Sequence, residues 1–128
     1  MITKHMLPII SLCALVFGFA AQVSAADKPE ELAQTAAEQW LELIDGGKFS
    51  ESWQGAAEAF KKAVSQAQWI SSLNAVRKPL GGLVSRKLKS ARYTKSLPDA
   101  PDGEYVVLQF DTSFANWKSA VETVTPMK

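Results

Sequence analysis

The chain holds one cysteine and one histidine in 128 residues, and both sit within the first 13 positions, as Cys13 and His5. Met1–Ala25 reads as a secretory leader. Lys4 and His5 make a short basic start, Leu7 to Ala21 is an almost uninterrupted apolar run, and Val23-Ser24-Ala25 offers the small residues of a cleavage site. Its removal leaves 103 residues, Ala26–Lys128, with no Cys and no His. That absence excludes disulfide scaffolds, thiol catalysis, histidine proton relays and Cys/His zinc sites. A long apolar run is lacking too. The leader's run of about 15 residues falls short of the roughly 20 needed to cross a bilayer, which argues against an uncleaved anchor. Leu12 occupies the place before Cys13 where a lipoprotein signal wants a small residue, which argues against lipidation. The expectation is one exported domain, 26–128, periplasmic or secreted.

Such a chain can bury about two-thirds of its unfolded surface, enough for one core and too little for two domains. Four tryptophans, Trp40, Trp53, Trp69 and Trp117, supply large amphipathic rings for that core.

The pattern then divides into a helical half and a strand half. Asp27 is the expected N-cap of a first helix, with Pro29 in its first turn and Glu30 completing a capping box. Leu32, Ala36, Trp40 and Leu43/Ile44 recur at helical spacing until Gly46-Gly47 ends the run. Ser50 or Ser52 can cap a second helix carrying Trp53, Phe60, Val64, Trp69 and Leu73, with a break near Gly55 and an end near Arg77, ahead of Pro79. From Arg86 onward the residues are β-prone. Asp99–Gly103 is a turn cluster between two hairpin arms. In the second arm Val106, Leu108, Phe110 and Phe114 alternate with Tyr105, Val107, Gln109, Asp111 and Ser113, so the first set faces a core and the second faces solvent. Asn116 marks a turn, and Lys118–Thr125 is a third strand closed by Pro126. Helices first and an antiparallel meander afterwards define an α+β domain, its helices packed on a curved sheet of about three strands.

Several motifs stand together: Trp40-Leu41-x-Leu43-x-Asp45-x-Gly47-x-Phe49-x-x-Ser52-Trp53, Phe60-Lys61, Trp69, Arg77-x-x-Leu80-Gly81-x-Leu83-x-Ser85-Arg86, Pro101-Asp102-Gly103-Glu104-Tyr105, Gln109-Phe110 and Ala120-Val121-Glu122-Thr123-Val124. Together they resemble the bacterial exported family called domain of unknown function 4019, across essentially the whole of 26–128. The resemblance implies a sheet of the cystatin-like or nuclear-transport-factor-like cone type, and it implies no activity. Chains of that family usually continue past the segment matching Glu122–Met127 into a further strand. The resemblance therefore implies a bare edge on the last strand here, open to strand-pairing with a partner.

Charge is segregated along the chain. Residues 27–58 carry eight acids and two bases, 59–98 carry nine bases and no acid, and 99–128 carry five acids and two bases. Segment 61–95 is thus a candidate membrane-surface patch for anionic headgroups, or one that the acidic first helix neutralises. No motif interleaves aromatics with these bases, and export removes the usual partners, so nucleic acid is not expected. Gly81-Gly82 lacks a Walker or dinucleotide pattern and reads as a turn. Arg77 and Arg86 are candidate binders of a carboxylate ligand. Arg86 equally suits a structural clamp with Asp45 or Glu42. Tyr105, Gln109 and Asp111 complete the candidate ligand set, and an apolar pocket around Asp111 beside Tyr105 would suit proton abstraction next to a carbonyl. Glu38 and Glu42 lie one helical turn apart, ordinary for a solvated face, and no acidic cluster has calcium-loop spacing. No cofactor or metal is expected. The best-supported function is a non-enzymatic module for a protein or small ligand. The alternatives are a cofactor-free lyase or isomerase acting on a hydrophobic molecule, and headgroup attachment.

Overall fold

A computed structural model of the chain describes residues 9–16 and 28–128. The elements in order are β1 (Ile9–Val16), α1 (Pro29–Asp45), α2 (Phe49–Gln54), α3 (Glu58–Ala63), α4 (Gln66–Leu80), β2 (Leu83–Thr94), β3 (Tyr105–Phe114) and β4 (Trp117–Pro126). The cleavage site at Val23–Ala25 and the Asp27 cap lie outside the described residues.

α1 begins one residue later than its sequence signals suggest. Lys28 is the N-cap and Pro29 the first helical residue, so the reciprocal acid is Glu31 rather than Glu30, its carboxylate accepting from the Lys28 N–H at 3.5 Å. Ala33, Ala36, Ala37, Trp40, Leu41 and Ile44 form its buried stripe. Gly46 caps the helix, and Gly47 turns the chain at φ +79°, a conformation that glycine adopts without strain.

The second helical stretch, expected to break near Gly55, is three helices. The first starts directly after the Gly47 turn with Lys48 as N-cap, so neither Ser50 nor Ser52 caps it. Ser52 instead is a fully buried hub. Its carbonyl accepts from Trp40 Nε1 at 2.8 Å and its hydroxyl accepts from Trp69 Nε1 at 2.9 Å, while donating to the Phe49 carbonyl. Gly55 ends α2 as expected. A second break comes at Ser65, where a reciprocal capping box with Gln68 starts α4. The Trp53 indole N–H is satisfied by the Val64 carbonyl at 2.8 Å. Trp40 and Trp69 stack at 5.9 Å, with Phe60 edge-on to Trp69 at 5.1 Å, so the aromatic packing joins α1, α3 and α4.

α4 also runs through Pro79 instead of stopping near Arg77. Leu80 is buried, and the carbonyls left open at the helix C-terminus find partners: Asn116 donates from its side chain to Pro79 O and from its backbone to Leu80 O. Tertiary packing and these bonds outweigh the proline's local cost. Gly81, at φ +78°, completes the turn, and a Cβ there would lie 2.9 Å from the Asn116 amide.

β2, β3 and β4 form the antiparallel sheet, in the order β4-β3-β2, with the helices on one face. The alternation of β3 holds: Val106, Leu108, Phe110 and Phe114 are fully buried against α1 and α4. The edge of β4, expected to stand bare in 26–128, is lined in the full chain by a segment that precedes it. β1 runs parallel to it, from Ile9 opposite Val121 to Val16 opposite Pro126, with one register shift between Leu12 and Leu15. An uncharged run thus takes up the row of N–H and C=O groups that an edge strand leaves open.

Candidate functional site

The sheet's inner face carries one polar constellation inside the apolar core. α1 contributes Asp45 at its C-terminus, α4 contributes Arg77, β2 contributes Arg86, β3 contributes Thr112 and β4 contributes Glu122. Arg86 is the centre. Its Nη1 and Nη2 donate to the two Asp45 oxygens at 2.8 and 3.0 Å, and its Nε and Nη2 donate to the two Glu122 oxygens at 2.6 and 3.1 Å. One planar guanidinium therefore grips two carboxylates in bidentate fashion. Arg77 Nη2 donates to Asp45 Oδ1 at 2.8 Å, and Thr112 Oγ1 donates to Glu122 Oε1 at 2.7 Å.

Burial decides what this arrangement can do. Glu122 has no exposed surface, and Arg77, Arg86 and Asp45 retain 8%, 10% and 17%. Burial by itself would raise the Asp45 pKa. The hydrogen bonds and charges of Arg86 and Arg77 outweigh it, and the carboxyl ionises below its ordinary range. Burial likewise disfavours the Arg86 cation, but Asp45 and Glu122 hold it more firmly protonated than a free guanidinium. Two cations stand against two anions, and every carboxylate oxygen is already engaged, which leaves no free general base among them. The constellation clamps five elements together. Arg77 completes it by lying over the Phe114 ring at 4.9 Å, while its Nε and Nη1 make no hydrogen bond among the described residues.

The five sequence-derived candidates therefore divide. Arg77 and Arg86 meet on Asp45; of the two acids weighed for Arg86 it takes Asp45, and it takes Glu122 besides. Tyr105 was expected to face solvent and is instead fully buried. The turn cluster folds back over it: its hydroxyl donates to the Pro101 carbonyl, Gly103 lies against its ring, and Met127 pairs with it across the sheet. Gln109 is half-buried beside Ser90, and Asp111 is exposed opposite Lys87. Tyr105 and Asp111 sit six residues apart on one strand, about 20 Å along it, so they build no acid–base pair. The space where a cone-type pocket would open holds Trp40, Leu73, Phe110 and Phe114.

Glu122, Thr112 and Ser52 escaped the sequence reading. The signal for Glu122 was present: it falls between Ala120 and Val124 on the inward alternation of β4, where an acid needs a buried partner.

The nine bases of 59–98 do not share one surface. Two are in the interior clamp. Lys61 pairs with Glu58 at 3.2 Å and lies over Trp53 on the helical side, while Lys87 and Arg92 pair with Asp111 and Val107 on the outer face of the sheet. Among the described residues no helix is long and apolar enough to cross a membrane, and no three acidic side chains gather as metal ligands.

Comparison with known proteins bears on the same residues. Residues 36–128 match the family described as protein of unknown function (DUF4019), which covers α1 from its second turn, the other helices, the antiparallel sheet and every member of the clamp. No curated protein and no solved structure matches the chain. The chain belongs to the DUF4019 family.

Proposed function

We propose that this chain is an exported, non-enzymatic interaction module that takes an extended, uncharged strand of a protein partner along the edge of β4 once Met1–Ala25 has been removed. The observation that carries the reading is the parallel pairing of Ile9–Val16 with Val121–Pro126. It supports reading the edge as an acceptor and an uncharged strand as its complement. Edge strands usually protect themselves with lysine or interior proline. Between Ser119 and Pro126 the only charge is Glu122, whose side chain is turned inward to Arg86. Val121, Thr123, Val124 and Thr125 are good strand formers. Export is supported by the leader pattern and by the start of the family match at Ala36, downstream of it. Catalysis has less support, since the two acid–base candidates stand apart and the interior acids are tied to arginines.

Two measurements test this reading. Intact mass of the protein from its native cell envelope should correspond to a chain beginning at Ala26; a full-length mass contradicts it. A peptide with the sequence of residues 9–16, added to that processed protein, should bind saturably and slow amide exchange within Val121–Thr125. Unchanged exchange there rejects the edge as the docking site.

A further inference from the structure

The outer face of the sheet holds a second constellation, independent of the β4 edge. Two register shifts bracket Ser113, one between Leu83 and Ser85 on β2 and one between Thr112 and Phe114 against β4. Bulges bend a strand and re-aim its side chains, and here the face opens into a hollow of about 270 Å³. It is lined by serines from three adjacent strands, Ser85, Ser113 and Ser119, with Ser85 and Ser113 directly paired. The rim is charged. Lys87 and Asp111 face each other across β2 and β3, and Lys118 comes from β4. Among the described residues none of these three charges joins an ion pair, and the serine hydroxyls make no hydrogen bond to protein.

We propose that this hollow binds a phosphate group. The chemistry of the donors selects it. Three hydroxyls from three strands and two ammonium groups surround a small space, and a tetrahedral oxyanion has oxygens enough to accept from several of them at once. A planar carboxylate reaches fewer. Small lining residues let the anion approach the sheet, where a longer side chain would fill the hollow. No aromatic ring lines it, so neither a sugar face nor a nucleobase finds a stacking surface. Asp111 beside Lys87 lowers the net charge of the rim to +1, which makes binding weak, roughly millimolar, and exchangeable.

Calorimetry of the natively expressed protein with inorganic phosphate tests the proposal, with vesicles of phosphatidylglycerol in phosphatidylcholine as a second arm. Ser113→Val should weaken phosphate binding about tenfold or more, Ser85→Val should do likewise, and Asp111→Asn should tighten it. Lys62→Ala, on the distant α3, should change nothing. Circular dichroism of each variant confirms that it is folded. Binding of phosphate but not vesicles supports a soluble phosphate or phosphate ester as the source. Vesicle binding with the same Ser113 dependence supports a lipid headgroup. Two results overturn the proposal: no saturable phosphate binding, or binding that ignores both serine substitutions and falls with Lys62→Ala, the mark of diffuse attraction to a basic surface.

Discussion

The two faces of one sheet use neighbouring residues for opposite ends. Arg86 and Lys87 are adjacent on β2, and Thr112 lies between Asp111 and Ser113 on β3. Turned inward, Arg86 and Thr112 bond to Glu122 in a dry interior. Turned outward, the side chains of Lys87, Asp111 and Ser113 make no hydrogen bond or ion pair among the described residues. The same residue types thus become structural or available according to the parity of their position. Inside, the polar groups are buried and losing a partner is expensive. Outside, water satisfies them and a ligand can replace it.

The largest test of this contrast is Arg86→Ala. It leaves Glu122 and most of Asp45 buried without their central cation, and stability by denaturant unfolding should fall by about 3–5 kcal/mol, a large share of the roughly 5–15 kcal/mol of a typical domain. Acid comes next. Asp45 ionises at lower pH folded than unfolded, so its contribution is complete above about pH 4, the ordinary carboxylate pKa, and is lost as pH falls through the lower folded value. Asp45→Asn should remove that limb of the stability–pH curve. Ser52→Ala is smaller: it leaves the buried Trp69 indole N–H unpartnered and should cost about 1–3 kcal/mol, read as a lower melting temperature. The smallest effect belongs to the outer face, where Asp111→Asn should shift unfolding by less than about 0.5 kcal/mol.

Local signals carried the outline of the fold. The alternation in β3 named its inward row, Gly46-Gly47 ended α1, and the Asp99–Gly103 cluster made the hairpin turn. Each is a matter of a few consecutive residues and their backbone preferences. The misses needed contacts distant in sequence. Pro79 looked like a stop because its stabilising partner, Asn116, lies 37 residues away. Tyr105 looked exposed because alternation does not reveal a loop returning over the outer face. The clamp was half legible: Asp45 and Glu42 both stand near the end of α1 as partners for Arg86, while Glu122 depended on the register of β3 and β4. The lining of the β4 edge by Ile9–Val16 was not legible, because a short uncharged run shows its strand pairing only through partners at the far end of the chain.

The most direct test of the division between faces is a pair of substitutions one residue apart, Thr112→Val and Ser113→Val, each measured for denaturant stability and phosphate affinity. Thr112→Val removes a hydrogen bond to a buried carboxylate, and should lower stability by about 1–3 kcal/mol while leaving phosphate binding intact. Ser113→Val should leave stability intact and weaken phosphate binding about tenfold or more. If both substitutions move the same quantity, or if the two effects are exchanged, the account of an inner clamp and an outer binding face is contradicted.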